Sequence, residues 1–414
     1  MVDGALSDIK IVELGRFISA PYCAKLLADL GAEVIKVEEP GRGDLARQHG
    51  PFPGDIPHPE RSGLFLNLNT NKLGITLDPG TATGKGIFKE LIRDADVLAE
   101  NNPPRLMREL GLDYATLSQV NPRLIVTSIT PWGQSGPYRD YKGYDINCSA
   151  AGGVSRAIGR PDREPLVAPL SQCHYQAGLS GAAATLAALF ARDLTGQGQQ
   201  VDVSEVEVMA TLFMGSNVLL YIFQGLTGAR EGHRSVGSGG LYPWTVLPCK
   251  DGYMCLIARE GRQWKRFIEA IGSPPWSRDA RFRDRRAMGE RYADEVDSLL
   301  APWLMAHTKE EVFELCRRNR IPFTPVRDIA EVVNAPHLGA RGYFVEMERS
   351  ETGPPYAGRA GSLKYPGAPY KLSETSWRLA RPAPRLGEHN EEVFCGRLGY
   401  PREELATWRR TGVI

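Results

Sequence analysis

The chain has few cysteines, and none is arranged for a metal site or a disulfide framework. Its 414 residues include seven cysteines, an odd number, and no two form a Cys-x-x-Cys pair. The seven histidines show no His-Glu-x-x-His or comparable spacing. This pattern is typical of a reducing compartment and predicts neither a disulfide-stapled fold nor a structural zinc.

The chain also lacks an excess of charge of either sign, a basic leader and a long uninterrupted apolar run. Lys plus Arg number 50 against 49 Asp plus Glu, which predicts no general attraction to nucleic acid or anionic membranes. The start, MVDGALSDIKIVEL, carries acids where a signal peptide needs a basic segment, so we expect a cytoplasmic protein. The run VMATLFMGSNVLLYIFQGL is interrupted by polar residues and has no flanking anchors, which favours a buried helix over a membrane span.

What is present is an alternation of strand and helix patterns through the first half of the chain. The segment IKIVEL reads as a buried strand, a helix with Ser19 as N-cap follows, and EVIKVE makes a second strand. DVLAEN, LIVTSIT and QVDVS continue the strands, with helical patterns between them. Such alternation predicts an α/β fold with a parallel sheet in a Rossmann-like large domain.

Changes of pattern divide the chain into four segments. Residues 1–224 form the N-terminal part of the large domain, and residues 225–241 read as a linker or glycine-rich loop. Residues 242–330 read as a smaller α+β domain. Residues 331–414 are rich in Pro and Gly yet patterned, so we expect them to return to the large domain.

Several motifs in a fixed order connect the chain with a known family. They include SAPYCAKLLADLGAEVIKVEEPGRGD, LGLDYATLSQVNPRLIVTSITPWGQSGPY, KGYDIN, FARDLTGQGQQVDVS and PAPRLGEHNEEVF. Together they resemble the class III CoA-transferases, the group of formyl-CoA transferase, carnitine CoA-transferase and α-methylacyl-CoA racemase. The resemblance implies CoA thioesters as substrates, no permanently bound cofactor or metal, and two protomers interlocked like links of a chain.

The resemblance also implies where coenzyme A is contacted. The helix start near Ser19 offers backbone N–H groups to an anion, and Lys142 offers a charge for a phosphate. Tyr144 occupies the place of the catalytic histidine of the racemase branch, which disfavours racemisation. The implied contact positions are Ile18, Ser19, Leu77, Asp78, Pro79, Gly80, Asn101, Asn102, Pro103, Lys142, Gly143, Tyr144 and Asp145.

Two acids depart from the pattern that the resemblance implies. Glu39 and Glu109 stand where family members commonly have a basic residue. They would weaken binding of the phosphates unless Arg42, Arg47 or Arg108 substitutes. These arginines are either phosphate contacts or solvated surface charges.

His174 is the largest departure from the family. Counting back from Arg192, with Gly178 at the expected glycine, the resemblance places His174 where the family has its nucleophilic aspartate. No acid lies between Glu164 and Asp193, so a shift of register does not supply one. The family aspartate passes through a mixed anhydride and an aspartyl-CoA thioester, and an imidazole has no carbonyl carbon for these steps.

Other roles for His174 stay open. The dipole of the predicted helix is expected to lower its pKa and favour the neutral ring. A neutral His174 would either bind a substrate carboxylate through N–H or merely complete the helix end.

Three functions are therefore compatible with the sequence. The first is a subunit of a heteromeric CoA-transferase that pairs with an aspartate-bearing homologue, as benzylsuccinate CoA-transferase does with succinyl-CoA and an aromatic dicarboxylate. The second is a self-sufficient homodimer with an atypical mechanism. The third is a CoA-ester binding protein without catalysis.

Overall fold

The computed structural model describes residues 4–228, 230, 232–235, 241–348 and 362–414. Contacts divide the chain into two compact units. The first comprises residues 1–154, 167–225 and 339–414, and the second comprises residues 155–166 and 226–338. Of the predicted glycine-rich loop at 225–241, residues 229, 231 and 236–240 lie outside the described residues.

The regular elements are numbered here in chain order. The strands are β1 (Lys10–Leu14), β2 (Glu33–Glu38), β3 (Lys72–Thr76), β4 (Val97–Glu100), β5 (Ile125–Thr130), β6 (Gln200–Ser204), β7 (Trp244–Cys249), β8 (Gly252–Ile257), β9 (Thr324–Val326), β10 (Phe344–Glu348) and β11 (Ser362–Pro366). The helices are α1 (Ser19–Ala28), α2 (Gly63–Leu68), α3 (Ala82–Arg93), α4 (Pro104–Leu110), α5 (Tyr114–Val120), α6 (Asp145–Ala151), α7 (Val154–Ala157), α8 (Gln172–Thr195), α9 (Glu205–Leu212), α10 (Gly215–Gln224), α11 (Gly261–Ala270), α12 (Arg285–Arg291), α13 (Ala293–Ala306), α14 (Lys309–Arg318), α15 (Ile329–Val333), α16 (Pro336–Ala340) and α17 (Arg402–Thr411).

The first unit is built on a six-stranded sheet in the order β3-β2-β1-β4-β5-β6. Every pairing in it is parallel. A parallel sheet is covered on both faces, and its strands are accordingly apolar runs. All six residues of β5 are buried. The α/β fold with a parallel sheet is therefore confirmed.

Successive residues of β1 belong to two different cores. Val12 packs in a cluster with Phe88 and Ile92 of α3, and Ile11 packs in a second cluster with Leu27 of α1. This alternation is the pleat of a strand that is buried on both faces. The C-terminal segment belongs to the first cluster, to which it contributes Phe394, Leu405, Trp408, Val413 and Ile414.

The apolar run after β6 differs from the single buried helix that its composition predicts. It forms α9 and α10, which are bent by 71° at the break around Phe213 and Met214. None of the residues of α10 is buried, and Phe223 is 80% exposed. The prediction of a buried helix is wrong because the apolar face of α10 has no covering element within the described chain. No single described helix is long and apolar enough to cross a membrane, although α9 and α10 meet the length and composition criteria as a bent pair.

The second unit has its own sheet and core. The strands β7, β8 and β9 form a three-stranded antiparallel sheet in that order. Side chains of α11, α13 and α14 pack with it, among them Phe267, Leu300 and Val312. In the first unit, β10 and β11 pair as an antiparallel hairpin.

Candidate active site

A cavity of about 480 Å³ opens where the strand order of the parallel sheet reverses, between β1 and β4. In open α/β sheets, ligands bind outside the carboxyl ends of the strands at such a switch point. The chain leaving β1 contributes Gly15 and Arg16, and the chain leaving β4 contributes Asn102. Leu77 and Gly80, two of the predicted contact positions, also line the cavity.

Asn101 joins the two loops at this edge of the sheet. Its side-chain amide donates to the carbonyl of Arg16 at 2.8 Å and to Oγ of Ser19 at 3.0 Å, and its Oδ1 accepts from the N–H of Arg16 at 2.8 Å. Ser19 is the first residue of α1 and Ile18 is the N-cap, so the prediction of Ser19 as N-cap is off by one residue. These bonds hold Ile18, Ser19 and Asn101 together beside the cavity.

Phe17, in the loop between β1 and α1, has a left-handed backbone with φ of 66°. This conformation costs a residue with a Cβ about 1 kcal/mol or more and persists only where neighbours hold it. The N–H of Phe17 donates to Asp44 Oδ1 at 2.8 Å, and Asp44 Oδ2 accepts from Lys36 Nζ at 2.6 Å. Burial alone would raise the pKa of Asp44, but Lys36 and the backbone donors outweigh it and lower that pKa. Asp44 therefore stays ionised and fixes the loop.

The candidate phosphate contacts Arg42 and Arg47 differ in exposure. Glu39 lines the cavity, and its carboxylate lies 4.0 Å from Arg16 and 3.6 Å from Arg42, both of which are exposed. Arg47 is 1% exposed; its guanidinium donates to Glu38 at 2.7 and 2.8 Å and to Glu60 at 2.9 Å. Arg47 therefore has a structural role, and the prediction that it contacts phosphate is corrected.

Arg108 and Glu109 both have exposed partners of their own. Arg108 donates to Asp140 at 2.8 Å. Glu109 accepts from Arg105 at 2.6 Å, one helical turn away. Neither residue lines the cavity, so the predicted conflict between Glu109 and a phosphate does not arise there.

His174 lies in the first turn of α8 and is held by a carboxylate from another helix. Its Nδ1 lies 2.9 Å from Oε1 of Glu205, the first residue of α9. The side chain of His174 is 16% exposed and that of Glu205 is 2% exposed. Asp145, at the start of α6, accepts from the N–H of Cys173 at 2.9 Å and so completes the start of α8.

The charge of His174 is the reverse of what the helix dipole predicts. Burial alone would lower the pKa of His174, but the hydrogen bond and charge of Glu205, with the charge of Asp145, outweigh it. The pKa is raised above its ordinary value. The predicted lowering is wrong because a buried carboxylate in contact with the ring acts more strongly than the partial charge of a helix end.

Close packing of α8 against its neighbours brings His174 to the loop after β1. A Cβ on Gly178 would lie 2.6 Å from the carbonyl oxygen of Ser19, so only glycine lets the two helices approach this closely. At the start of α8, the rings of Phe17 and His174 meet edge to face with centroids 5.8 Å apart. His174 therefore contacts Phe17, and the next residue, Arg16, lines the cavity.

Only some of the predicted contact positions at 142–145 lie close to His174. Lys142 and Tyr144 are exposed. A Cβ on Gly143 would lie 2.5 Å from Cβ of Pro131, which explains a glycine at this position. Of this group, Asp145 is the residue with a direct bond to α8.

A potential metal-ligand cluster lies beside His174. The ligand atoms of Cys148, Cys173 and Glu205 all lie within 4.8 Å of one another, and all three residues are buried. The hydrogen bond with Cys148, burial and the charge of Glu205 raise the pKa of the Cys173 thiol. A metal would have to displace thiol protons there, so the donor set favours a protonated, closely packed pair of cysteines.

Comparison with known proteins decides the family. The sequence profile of CoA-transferase family III matches residues 6–390. The chain belongs to CoA-transferase family III. It is 32% identical over 410 residues to a succinyl-CoA–D-citramalate CoA-transferase of Chloroflexus aurantiacus, covering 99% of this chain and 98% of that one. It is 33% identical over 406 residues to the subunit BbsE of succinyl-CoA:(R)-benzylsuccinate CoA-transferase of Thauera aromatica, covering 95% and 94%.

The fold agrees with this assignment. A CaiB/BaiF family protein from Brucella suis superposes with a TM-score of 0.84 at 28% identity, covering 95% of this chain and 100% of that one. Members of CoA-transferase family III use CoA thioesters as substrates.

Three residues of this candidate site were not singled out from the sequence. Arg16 lines the cavity, Phe17 contacts His174, and Glu205 holds its ring. Each follows the carboxyl end of a parallel strand within three residues. The switch-point rule, applied to β1, would have found Arg16 and Phe17. Glu205 follows the edge strand β6, which the rule does not single out.

Proposed function

We propose that this chain is the non-nucleophilic subunit of a heteromeric CoA-transferase. It would pair with a homologue that carries the family aspartate, in an interlocked dimer or a larger assembly. The complex would move CoA from a donor such as succinyl-CoA to a carboxylic acid, for which an aromatic dicarboxylate such as benzylsuccinate is our first candidate. In this protomer, coenzyme A would be bound by Arg16, Leu77, Asn102 and Lys142.

The observation that carries the proposal is the environment of His174. The resemblance places it at the nucleophile's position, and its Nδ1 is bound to Glu205. The covalent route needs an accessible carboxylate whose carbonyl carbon takes the acyl group and then CoA. The carboxylate beside this position belongs to Glu205, which is 2% exposed and already paired. A partner's aspartate would supply the missing step.

Two relatives support a division into subunits. The Thauera protein is itself named as the subunit BbsE of a transferase. A second relative from Chloroflexus aurantiacus, 32% identical over 412 residues and covering 99% of this chain and 98% of that one, is the beta subunit of a succinyl-CoA–L-malate CoA-transferase.

Exposed apolar side chains support a protomer interface in the first unit. They lie on α8 and on the bent pair α9 and α10, and a monomer would leave them in water. Phe190 and Leu194 of α8 are 70% and 75% exposed. The others on these helices are Leu179, Leu186, Leu212, Val218, Leu219, Tyr221, Ile222 and Phe223.

A second candidate is a self-sufficient homodimer in which Glu205 is the nucleophile. The observation in its favour is that Glu205 brings a carboxylate to 2.9 Å from the ring of His174. The residues around His174 in the sequence contain no such acid. The burial of Glu205 disfavours it, because the thioester carbon would have to reach a carboxylate that is 2% exposed.

The test compares the chain alone with the chain co-expressed with an aspartate-bearing homologue. Transfer would be measured first as exchange of CoA between succinyl-CoA and labelled succinate, which reports on the transferase whatever its natural acceptor is, and then with benzylsuccinate. We expect exchange by the heteromer and none by the lone chain. Robust exchange by the purified lone chain would overturn the proposal.

Two matched variants separate the candidates. Substituting Asn for the aspartate of the homologue should abolish exchange by the heteromer, whereas Glu205→Gln in this chain should leave most of it. Abolition of exchange in the Glu205→Gln heteromer, with the complex still assembled and acyl-CoA still bound, would favour Glu205 as the nucleophile.

A further inference from the structure

Glu205 determines which nitrogen of His174 is available to a ligand. Its Oε1 accepts from Nδ1 at 2.9 Å, and with 2% exposure it has little access to water. The titratable groups around the ring are Glu205 on α9, Asp145 on α6 and the protonated thiol of Cys173 on α8. The two carboxylates raise the pKa of His174, so the ring carries a proton on both nitrogens over a wider pH range.

The second nitrogen, Nε2, is the free one. Among the described residues no hydrogen-bond partner contacts it, and the side chain is 16% exposed. Phe17 presents its ring to the ring of His174, and the chain continues from Phe17 through Arg16 into the lining of the cavity. A partly buried N–H donor therefore lies beside the loop that borders the candidate coenzyme site.

The charge around this donor selects the class of acceptor. When His174 is protonated it contributes one positive charge, and the carboxylates of Glu205 and Asp145 lie close enough to act on it. Together the three groups then carry an excess of negative charge. A free carboxylate would be repelled by this excess, whereas a neutral carbonyl oxygen accepts the hydrogen bond without that penalty. The acyl group of a CoA thioester is such an acceptor.

We infer that His174, oriented by Glu205, binds the carbonyl oxygen of an acyl-CoA thioester through Nε2–H. The inference rests on the proposed function for the choice of an acyl-CoA, and it gives this protomer a substrate-binding role without a covalent step. His174 touches the ligand, and Glu205 acts as a positioning residue that orients the ring and stabilises its protonated form.

The experiment uses the purified chain and two unreactive analogues of acetyl-CoA. Acetonyldethio-CoA keeps the carbonyl and replaces the sulfur by methylene, whereas the ethyl thioether of CoA keeps the sulfur and has no carbonyl. Dissociation constants would be measured by titration calorimetry. We expect the carbonyl analogue to bind roughly tenfold more tightly, because the donor is a charged group.

Two variants show whether the preference for the carbonyl analogue comes from the hydrogen-bonded pair of His174 and Glu205, which we call the dyad. The double variant His174→Leu with Glu205→Gln leaves no buried charge unpaired, and we expect it to bind both analogues equally. Glu205→Gln alone keeps an acceptor for Nδ1 but removes the charge that raises the pKa of His174. Its preference for the carbonyl analogue should be lost at a lower pH than in the wild type.

The pH dependence has a definite sign. Because the protonated ring is the donor, the preference should be full at low pH and fall as pH rises through the raised pKa. The ¹³C-carbonyl stretch of the bound analogue should shift to lower frequency in the wild type and return in the double variant. A merely structural His174 would produce neither effect.

Equal binding of the two analogues by the wild type would overturn the inference, and so would a preference that survives in the double variant. Failure of the chain to bind either analogue would overturn it as well. Transfer by the co-expressed heteromer is measured separately, so failure of this inference and failure of the proposed function are distinguishable.

Discussion

At the cavity beside β1, Glu39 and its arginine partners are exposed, whereas at the start of α8 His174 and Glu205 are largely buried. Glu39 is 38% exposed and its partners Arg16 and Arg42 are 60% and 74% exposed. Glu205 and His174 are 2% and 16% exposed. Exposed pairs contribute about 0–1 kcal/mol, but removing one partner of a buried pair costs roughly 3–5 kcal/mol.

This difference in exposure means that the side chains around Glu39 can change partners, whereas His174 and Glu205 are fixed in place. The exposed arginines can leave Glu39 and turn towards a phosphate at little cost. The buried dyad cannot exchange its partner without leaving a charge stranded, so His174 keeps one orientation. The proposed function places the coenzyme at the adaptable site around Glu39, and the position of the family's nucleophile at the fixed pair of His174 and Glu205.

The largest effect is expected from returning an aspartate to the fixed end. His174→Asp with Glu205→Gln places a carboxylate where the family has its aspartate and removes the like charge beside it. The lone chain should then exchange CoA between succinyl-CoA and labelled succinate at a rate roughly 10³-fold or more above the wild type. The matched control is His174→Asn with Glu205→Gln, which has the same shape and no carboxylate; equal activity of the two would contradict the account.

Breaking the buried dyad should cost much more stability than breaking an exposed pair. His174→Ala leaves Glu205 buried without its partner, so the free energy of unfolding should fall by roughly 3 kcal/mol. Arg42→Ala should lower it by less than about 0.5 kcal/mol. Urea unfolding of both variants checks this contrast, and equal losses would show that the dyad is not buried as described.

The stabilisation by the dyad should also depend on pH. The pKa of His174 is raised in the folded state, so its contribution is full below the ordinary histidine value of about 6.5 and is lost as pH rises through the raised pKa. The stability difference between the wild type and His174→Gln should therefore shrink at alkaline pH. A difference that grows with pH would mean that the ring is neutral.

A smaller loss of stability is expected where α8 packs on α1. Gly178→Ala places a Cβ 2.6 Å from a backbone oxygen of Ser19, so the helices must move apart, at about 1–3 kcal/mol. Gly215→Ala, at the start of α10, has open space around its Cβ and serves as the control. Equal unfolding free energies for the two variants would refute the close approach of α8 to α1.

The smallest effect is expected from changing the exposed Glu39 in the cavity. Glu39→Gln frees Arg16 and Arg42 and removes a negative charge from the cavity, so the affinity for CoA should rise by roughly fivefold, or about 1 kcal/mol. Glu109→Gln, whose partner Arg105 lies away from the cavity, should leave the affinity unchanged. Calorimetric titration with CoA tests both, and weaker binding by Glu39→Gln would place the phosphates elsewhere.

The sequence predicted the parallel sheet because its signals are local. Runs such as EVIKVE and LIVTSIT carry the apolar pattern of strands covered on both faces, and both are strands of the sheet. The family was predicted from motif order and is confirmed. By contrast, the exposure of α10 depends on what covers a helix in space, which the apolar composition of the run does not encode.

The errors at the site have the same origin. The dipole argument for His174 used only its place on a helix, but its pKa is governed by Glu205, which is 31 residues away in the chain. Arg47 was predicted to contact phosphate, but the fold brings Glu38 and Glu60 to its guanidinium. Contacts between distant segments determine charge and availability, and spacing along the chain does not report them.

The most direct test of the central claim is to locate the covalent intermediate in the heteromer. After incubation with succinyl-CoA and trapping with borohydride, peptide mass spectrometry should find the modified carboxylate at the aspartate of the homologue. The peptide of this chain that contains Glu205 should be unmodified, as should the one that contains His174. A trapped adduct on Glu205 would contradict the account and make this chain the catalytic subunit.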